Sequence, residues 1–294
     1  MTSDMTGKIC LITGASSGIG KETVLGLAQL GATVVMHGHN PTRSQAALDY
    51  VRSTSGNPNI ELIQADLSQK SGIQHLADTF KAKYSRLDVL LNNAGMLRTS
   101  YQTTPDGLEY TFALNHLSYF MLTHLLLDTL KGSAPARIIN VSSDAHTGGK
   151  FDPENLQSER GYNPLNAYSN SKLFNLLFTY ELARRLQGTS VTVNALHPGF
   201  VASRFGKGNP GLRGSLVGSF MTLLRPIAIS EKRGAETSIY LASSPAVANV
   251  TGMYFYRKQI TKSSPKSYDV EAAQQLWNIS AKLIGTNQNG SDTA

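Results

Sequence analysis

The 294-residue chain contains a single cysteine, Cys10, set inside an apolar run. That excludes a disulfide framework and any cysteine-built metal site, and it suits a reducing compartment. No uninterrupted apolar stretch approaches the roughly eighteen residues that a membrane-spanning helix needs. Residues Met1 to Gly7 are short and polar and lead straight into a strand pattern. Neither a signal sequence nor a membrane anchor is therefore expected, and the expected location is the cytoplasm. Basic residues are never massed: 27 Lys and Arg against 20 Asp and Glu give a formal charge of +7, with no run of five. A scattered basic surface with no recognised module implies no nucleic-acid partner. With no secretion expected, the sequons at Asn140, Asn249 and Asn278 read as chance matches.

What the chain does contain is regular alternation. Apolar strand-like runs at 8–13, 34–36, 60–65, 89–91, 137–141 and 191–196 are separated by helical patterns. Even alternation of this kind predicts an α/β fold, a single doubly wound Rossmann-type domain with a parallel sheet of about seven strands flanked by helices. The domain is expected over 1–284, with a loose tail at 285–294 rich in Asn, Gly, Ser and Thr. Thr104-Pro105 has the signature of a helix start, and the apolar pattern runs from there to about Leu130. Further helices are expected over 163–187, 231–243 and 268–284, with an edge strand at 252–256. Segment 201–230 is apolar but interrupted by glycine, and includes Phe220 and Met221. A substrate lid, a membrane-contacting helix and plain packing are all compatible with it.

The first strand pattern runs into Gly14-Ala15-Ser16-Ser17-Gly18-Ile19-Gly20 and then a helix. Glycines let a backbone approach a pyrophosphate, and a helix N-terminus presents free N–H groups to it. With 26 glycines in the chain, chance alone supplies roughly 0.2 triplets of this spacing, so an ordinary glycine turn remains the alternative. The second strand ends in His37-Gly38-His39-Asn40, with no Asp or Glu to hold the ribose hydroxyls of NAD. His39, Asn40, Arg43 and Lys21 could instead surround a 2′-phosphate, which favours NADP(H). The competing reading is an exposed loop. Asp66-Leu67 and Asn93-Ala94-Gly95 follow later strands, where an adenine and a ribose are placed in such sheets, although turn chemistry explains Asn and Gly equally well. No metal site is expected.

On a helix, Tyr168 and Lys172 share one face. A free phenol titrates near about 10, so its use near neutrality requires a depression worth roughly 4 kcal/mol, which a neighbouring ammonium helps to supply. The product is a proton donor for a carbonyl oxygen. Tyr254 and Lys258 repeat the spacing, but in a strand, where they would stand about 13 Å apart. Asn115 falls in the middle of an apolar helix, where it must be bonded or interrupt the helix, and Ser143 closes the fifth strand, where a hydroxyl can hold a substrate oxygen.

Taken in order, Thr13-Gly14-x-x-x-Gly18-x-Gly20, Asn92-Asn93-Ala94-Gly95, Asn115, Ser143, Tyr168-x-x-x-Lys172 and Pro198-Gly199 resemble the short-chain dehydrogenase/reductase family. Leu114-Asn115-His116-Leu117, His197-Pro198-Gly199 and Ser264-Pro265-x-Ser267-Tyr268-Asp269 resemble its retinol dehydrogenase group. The resemblance implies that Tyr168 passes the proton, Lys172 lowers its pKa and holds the nicotinamide ribose, Ser143 steadies the substrate oxygen, and Asn115 anchors a relay water. It implies cofactor contacts from Gly14, Ser16, Ser17, Gly18, Ile19, Gly20, His39, Asn40, Arg43, Asp66, Leu67, Asn93, Ala94, Gly95, Tyr168, Lys172, Pro198, Gly199 and Val201. The expected activity is NADP(H)-dependent interconversion of an alcohol and a ketone or aldehyde on a lipophilic small molecule, in a homodimer or homotetramer with no stable membrane anchor. A non-catalytic NADP-binding regulator or scaffold is the alternative. A protochlorophyllide reductase-like enzyme is disfavoured, because the cysteines usual in its substrate region are missing.

Overall fold

The computed structural model describes residues 4–201 and 228–286. Most of the expected lid, including Phe220 and Met221, and most of the expected tail lie outside the described residues. The elements run β1 (Ile9–Ile12), α1 (Gly18–Gln29), β2 (Thr33–Gly38), α2 (Pro41–Ser55), β3 (Ile60–Gln64), α3 (Lys70–Lys83) and β4 (Val89–Asn92). Then come α4 (Tyr110–Phe112), a π turn (Ala113–Leu117), α5 (Ser118–Gly132), β5 (Ala136–Val141) and a 3-10 turn (Asp144–Gly148). The described chain closes with α6 (Pro164–Arg185), β6 (Val191–Leu196), α7 (Glu231–Ser243), β7 (Tyr254–Tyr256), β8 (Gln259–Thr261) and α8 (Val270–Ile284).

Local chemistry explains the helix boundaries. Asn40 caps α2 by accepting the Arg43 N–H at 2.9 Å, and Pro41 occupies a first-turn position where a missing N–H costs nothing. Asn163 and Pro164 do the same for α6, with the Asn163 side chain accepting from Leu165 and Asn166. The helix expected from Thr104 instead begins at Tyr110. Gly107 closes a turn onto the Thr104 carbonyl with φ of +74°, and the buried Glu109 carboxylate accepts the Thr111 and Phe112 N–H groups at 2.8 and 2.7 Å. Likewise α8 starts at Val270 because the Asp269 side chain caps it.

The strands form one eight-stranded sheet in the order β3-β2-β1-β4-β5-β6-β7-β8. Neighbours from β3 to β7 pair in parallel, and β8 returns antiparallel to β7. The strand expected at the edge is thus covered by one more. Arg257 and Lys258 form the tight connection between them, with φ of +48° and +65°. Tyr254 lies on β7 and Lys258 in that turn, where its ammonium meets Glu236 at 2.9 Å, so the second Tyr/Lys spacing has no shared face.

Alternation along the strands feeds two cores. Val34 and Met36 pack toward α1, α2 and α7, whereas Val35 and Leu11 face α3, α5, α6 and α8 with Phe80, Leu122 and Phe178. Each such buried side chain is worth about 1.5–3 kcal/mol. The chain winds outward from β1 to β3 and then crosses to β4 on the other side. A crevice therefore opens at the carboxyl ends of β1 and β4. Among the described residues, no helix is long and apolar enough to cross a membrane.

Candidate active site

The glycine turn leaves β1 at that crevice, and three side chains fix it. The Thr13 hydroxyl accepts the Asn93 and Ala94 N–H groups at 2.9 and 3.0 Å. The Asn93 amide donates to the Thr13 and Gly14 carbonyls at 2.9 and 3.1 Å. His37, buried under the turn, accepts the Gly14 N–H through Nδ1 at 3.2 Å and donates through Nε2 to the Ala65 carbonyl at 3.0 Å. Burial pushes its imidazole down to about 4, which keeps that neutral tautomer at neutral pH. Gly14 and Gly18 have φ of +64° and +61°, and a Cβ on Gly14 would stand 2.7 Å from the Ala94 Cα. The turn is thus a closely packed cradle ending in the first-turn amides of α1, which have no intrahelical acceptor. Glycine backbone next to free amides is the donor set a dinucleotide pyrophosphate fits.

Several predicted cofactor residues hold protein rather than open space. The Asn93 side chain is spent on the glycine turn, and Asn40 on the cap of α2. The Asp66 carboxylate accepts Ser68 N and Oγ at 3.0 and 2.7 Å and Gln69 Nε2 at 3.0 Å. Leu67 is buried. Lys21 pairs with Glu22 at 3.2 Å and lies over the Tyr50 ring at 4.3 Å. His39 and Arg43 remain exposed where β2 ends, with His39 Nε2 3.8 Å from Asp66. Pro198 lines a cleft of roughly 230 Å³ with Ile229, Arg233 and Thr237, and Gly199 beside it has φ of +87°. Val201 bridges to Ile229.

Asn115 does interrupt its helix. The Ser118 N–H reaches back five residues to Ala113, and the Leu114 carbonyl, which an α-helix would have given to that N–H, takes the Ser118 hydroxyl at 2.6 Å. The bulge turns the Asn115 side chain onto Met96, whose N–H it accepts and whose carbonyl it meets, both at 2.9 Å. Its amide also donates to Ser171 Oγ at 3.1 Å, and Ser171 donates to the Tyr168 carbonyl at 2.7 Å. Asn115 thereby ties the end of β4 to the helix that carries Tyr168. A Cβ on Gly95 would stand 3.2 Å from Asn115 Oδ1 and 3.5 Å from Lys172 Nζ, so glycine there keeps the β4 end against the lysine.

Tyr168 and Lys172 lie on consecutive turns of α6, as their spacing requires. The Lys172 Nζ is 5.6 Å from the centre of the Tyr168 ring and donates to the Val141 carbonyl at 3.1 Å. Burial pushes its ammonium down to about 7. Burial also pushes the Tyr168 phenol up to about 12, against the downward pull of a hydrogen bond from Ser143. The spacing argument expected Lys172 to depress the phenol. Here the same low-dielectric surroundings disfavour both charged forms, and the pair is neutral near pH 8. Ser143 follows β5, where it caps the 3-10 turn by accepting the Ala145 N–H at 3.2 Å, whereas the Ser142 hydroxyl is buried and donates to the Lys172 carbonyl at 2.8 Å. Ser143, not Ser142, is therefore the serine beside the phenol.

Sequence reasoning missed His37 and the hydroxyl of Thr13 as supports of the glycine turn. The signal for Thr13 is its position at the end of β1 before Gly14. His37 left none, because its partners Gly14 and Ala65 are distant along the chain.

Residues 8–210 match the short chain dehydrogenase family. Human retinol dehydrogenase 13 is 42% identical over 284 residues, spanning 95% of this chain and 85% of the relative. Human retinol dehydrogenase 12 is 41% identical, spanning 96% and 87%. Among solved structures, an uncharacterized protein of Mycobacterium paratuberculosis superposes with a TM-score of 0.78 at 32% identity, covering 97% of this chain and 96% of its own. The Pseudomonas aeruginosa RhlG/NADP active-site complex does so with a TM-score of 0.68 at 27% identity, covering 86% and 95%. With that match over most of its length, the chain belongs to the short-chain dehydrogenase/reductase family, as an NAD(P)-dependent oxidoreductase acting on CH–OH/C=O groups.

Proposed function

We propose that this chain interconverts an alcohol and a ketone or aldehyde on a lipophilic substrate with NADP(H), and that Tyr168 exchanges the proton at the substrate oxygen. The observation that carries this reading is the placing of Lys172 5.6 Å from the Tyr168 ring and next to Gly95, at the carboxyl end of β5 where Ser143 acts on the phenol. A carbonyl oxygen placed between the two hydroxyls receives a hydrogen bond from each. When bound, the nicotinamide supplies the hydride to the carbonyl carbon or accepts it from the alcohol carbon. In reduction, the Tyr168 phenol is protonated at neutral pH and so is ready to donate to the developing alkoxide, with Ser143 steadying the same oxygen. In oxidation the phenol oxygen must give up its proton before it can act as the base, which the buried surroundings of Tyr168 and Lys172 disfavour. Asn115 holds the helix of Tyr168 against the β4 end through Ser171.

NADP(H) rather than NAD(H) is supported by the absence of a carboxylate at the end of β2, the exposed His39 and Arg43 there, and the NADP named in the RhlG complex. The lipophilic substrate class is supported by the relatives named as retinol dehydrogenases. Turnover of apolar aldehydes and ketones with NADPH tests the reading. Tyr168→Phe is expected to lower kcat by at least about 10²-fold, the lower end of what general acid catalysis contributes. Near-normal turnover by that variant would sink the assignment.

A further inference from the structure

Ser143 is held by more than its place at the end of β5. Its carbonyl accepts two bonds from one residue, the His146 N–H at 3.1 Å and His146 Nδ1 at 2.7 Å. The other ring nitrogen, Nε2, lies 2.9 Å from the Ser264 N–H, which comes from a segment 118 residues further along the chain. A backbone N–H can only donate, so Nε2 is the acceptor and Nδ1 carries the proton that goes to Ser143. Each ring nitrogen therefore has a single partner of fixed polarity. The ring is 1% exposed and meets Tyr254 edge-on at 5.2 Å. Burial keeps it neutral against the pull of the Ser143 carbonyl and of Asp144.

The segment on the far side is itself anchored. Ser263 Oγ is 2.6 Å from both the Tyr180 hydroxyl on α6 and the Ser267 hydroxyl, and Tyr268 stacks on Tyr180 at 5.1 Å. Lys266 donates to the Gly149 carbonyl at 3.0 Å, a second tie between the same two segments. The serine loop is thus suspended between β5 and a braced strut on α6. Nothing in the catalytic scheme above uses His146.

We propose that His146 is the positioning residue of the active-site serine: its imidazole, anchored on the Ser264 amide, fixes the Ser143 carbonyl and so aims the Ser143 hydroxyl at Tyr168 and the substrate oxygen. This rests on the oxidoreductase reading of the same site. A misplacement on the order of 1 Å at a group that touches the reacting atoms is enough to cost up to about 10²-fold in rate. The glycine turn is built from Thr13, His37 and Asn93 and does not involve His146, so cofactor affinity is independent of it.

Two variants of His146 separate hydrogen bonding from packing. Asparagine keeps a nitrogen donor where Nδ1 stands, and leucine keeps apolar bulk with no donor. His146→Asn is expected to retain kcat for carbonyl reduction within about threefold, and His146→Leu to lose at least tenfold. Both should keep the NADPH Kd, read by fluorescence titration, within twofold. A leucine variant as fast as the wild type, or an asparagine variant as slow as the leucine one, overturns the proposal. A measurement free of turnover is the imidazole nitrogen NMR spectrum of the wild-type protein near pH 7. The Nδ1-protonated tautomer is expected for His146, and an Nε2-protonated ring refutes the bridge. Tyr168→Phe in the same kinetic series keeps the two readings apart. Normal turnover by that variant removes the parent mechanism, whereas an inactive Tyr168→Phe beside a fully active His146→Leu removes only the role of His146.

Discussion

Replacing Lys172 with methionine should make the protein more stable at neutral pH and abolish one component of its pH dependence. Lys172 is 3% exposed, and burial lowers its ammonium from an ordinary 10.5 to about 7. That difference corresponds to roughly 5 kcal/mol. Below about pH 7 the folded protein carries the whole cost of the buried charge. Between about 7 and 10.5 the unfolded chain keeps a proton that the folded protein releases, so stability rises with pH at up to about 1.4 kcal/mol per unit. From pH 7.5 to 9.5 Lys172 alone should contribute a gain of roughly 2.5 kcal/mol. The methionine variant lacks this slope. Its Val141 carbonyl is not orphaned, because Asn175 Nδ2 and the Tyr119 hydroxyl stand at 3.4 and 3.5 Å. The Tyr168 phenol, pushed up to about 12, stays protonated throughout the window. The Cys10 thiol, raised by burial, acts with the opposite sign above about 9 and equally in both proteins. Urea unfolding followed by the fluorescence of the single tryptophan, Trp277, at pH 6, 7.5 and 9.5 measures the difference. Parallel stability curves for the two proteins would refute the buried-ammonium argument, and the variant should be inactive whichever way the curves fall.

Other outcomes follow from the same geometry. Arg43→Ala should weaken NADPH binding about tenfold, or roughly 1.4 kcal/mol, and leave NADH unchanged. Equal losses for both cofactors in a fluorescence titration would return Arg43 to the status of a loop residue. Acid should destabilise the protein before its carboxylates titrate. Burial lowers His37 to about 4 and His116 to about 3, so the unfolded chain takes up protons from about 6.5 downward while the folded one does not. Between pH 7 and 5 the two rings should together remove roughly 4 kcal/mol. Identical urea midpoints at pH 7 and pH 5 would contradict that.

The architecture was legible because it is carried by local signals. The strand runs β1, β2 and β6, the cap-and-proline pair at Asn163-Pro164, and the glycine turn all act within a few residues. Their order along the chain then restricts the sheet to the doubly wound topology. The errors were local signals overridden by nearby chemistry. Thr104-Pro105 reads as a helix start, but Gly107 closes a turn first and the Glu109 carboxylate supplies a stronger cap for a helix beginning at Tyr110. The eighth strand is three exposed residues, Gln259 to Thr261, too short and too polar to announce itself.

Within the site, residue types were legible and their electrostatics were not. Tyr168 and Lys172 share a face because helical periodicity requires it. The sign of the mutual effect on their protonation depends on how deeply α6 is covered by elements far away in sequence, and burial outweighs the pairing. The same holds for the residues that aim the chemistry. Asn115 can hold the α6 helix only because a π turn rotates its amide toward Met96 and Ser171, 19 and 56 residues away. His37 and His146 each look like an ordinary polar residue in their own stretch. One supports the glycine turn through Gly14 and Ala65, and the other joins Ser143 to Ser264. In both, the ring tautomer is set by partners of opposite polarity on its two nitrogens. A reactive group announces its chemistry by its own side chain, whereas a supporting histidine does so only through two backbone partners that folding must first bring together.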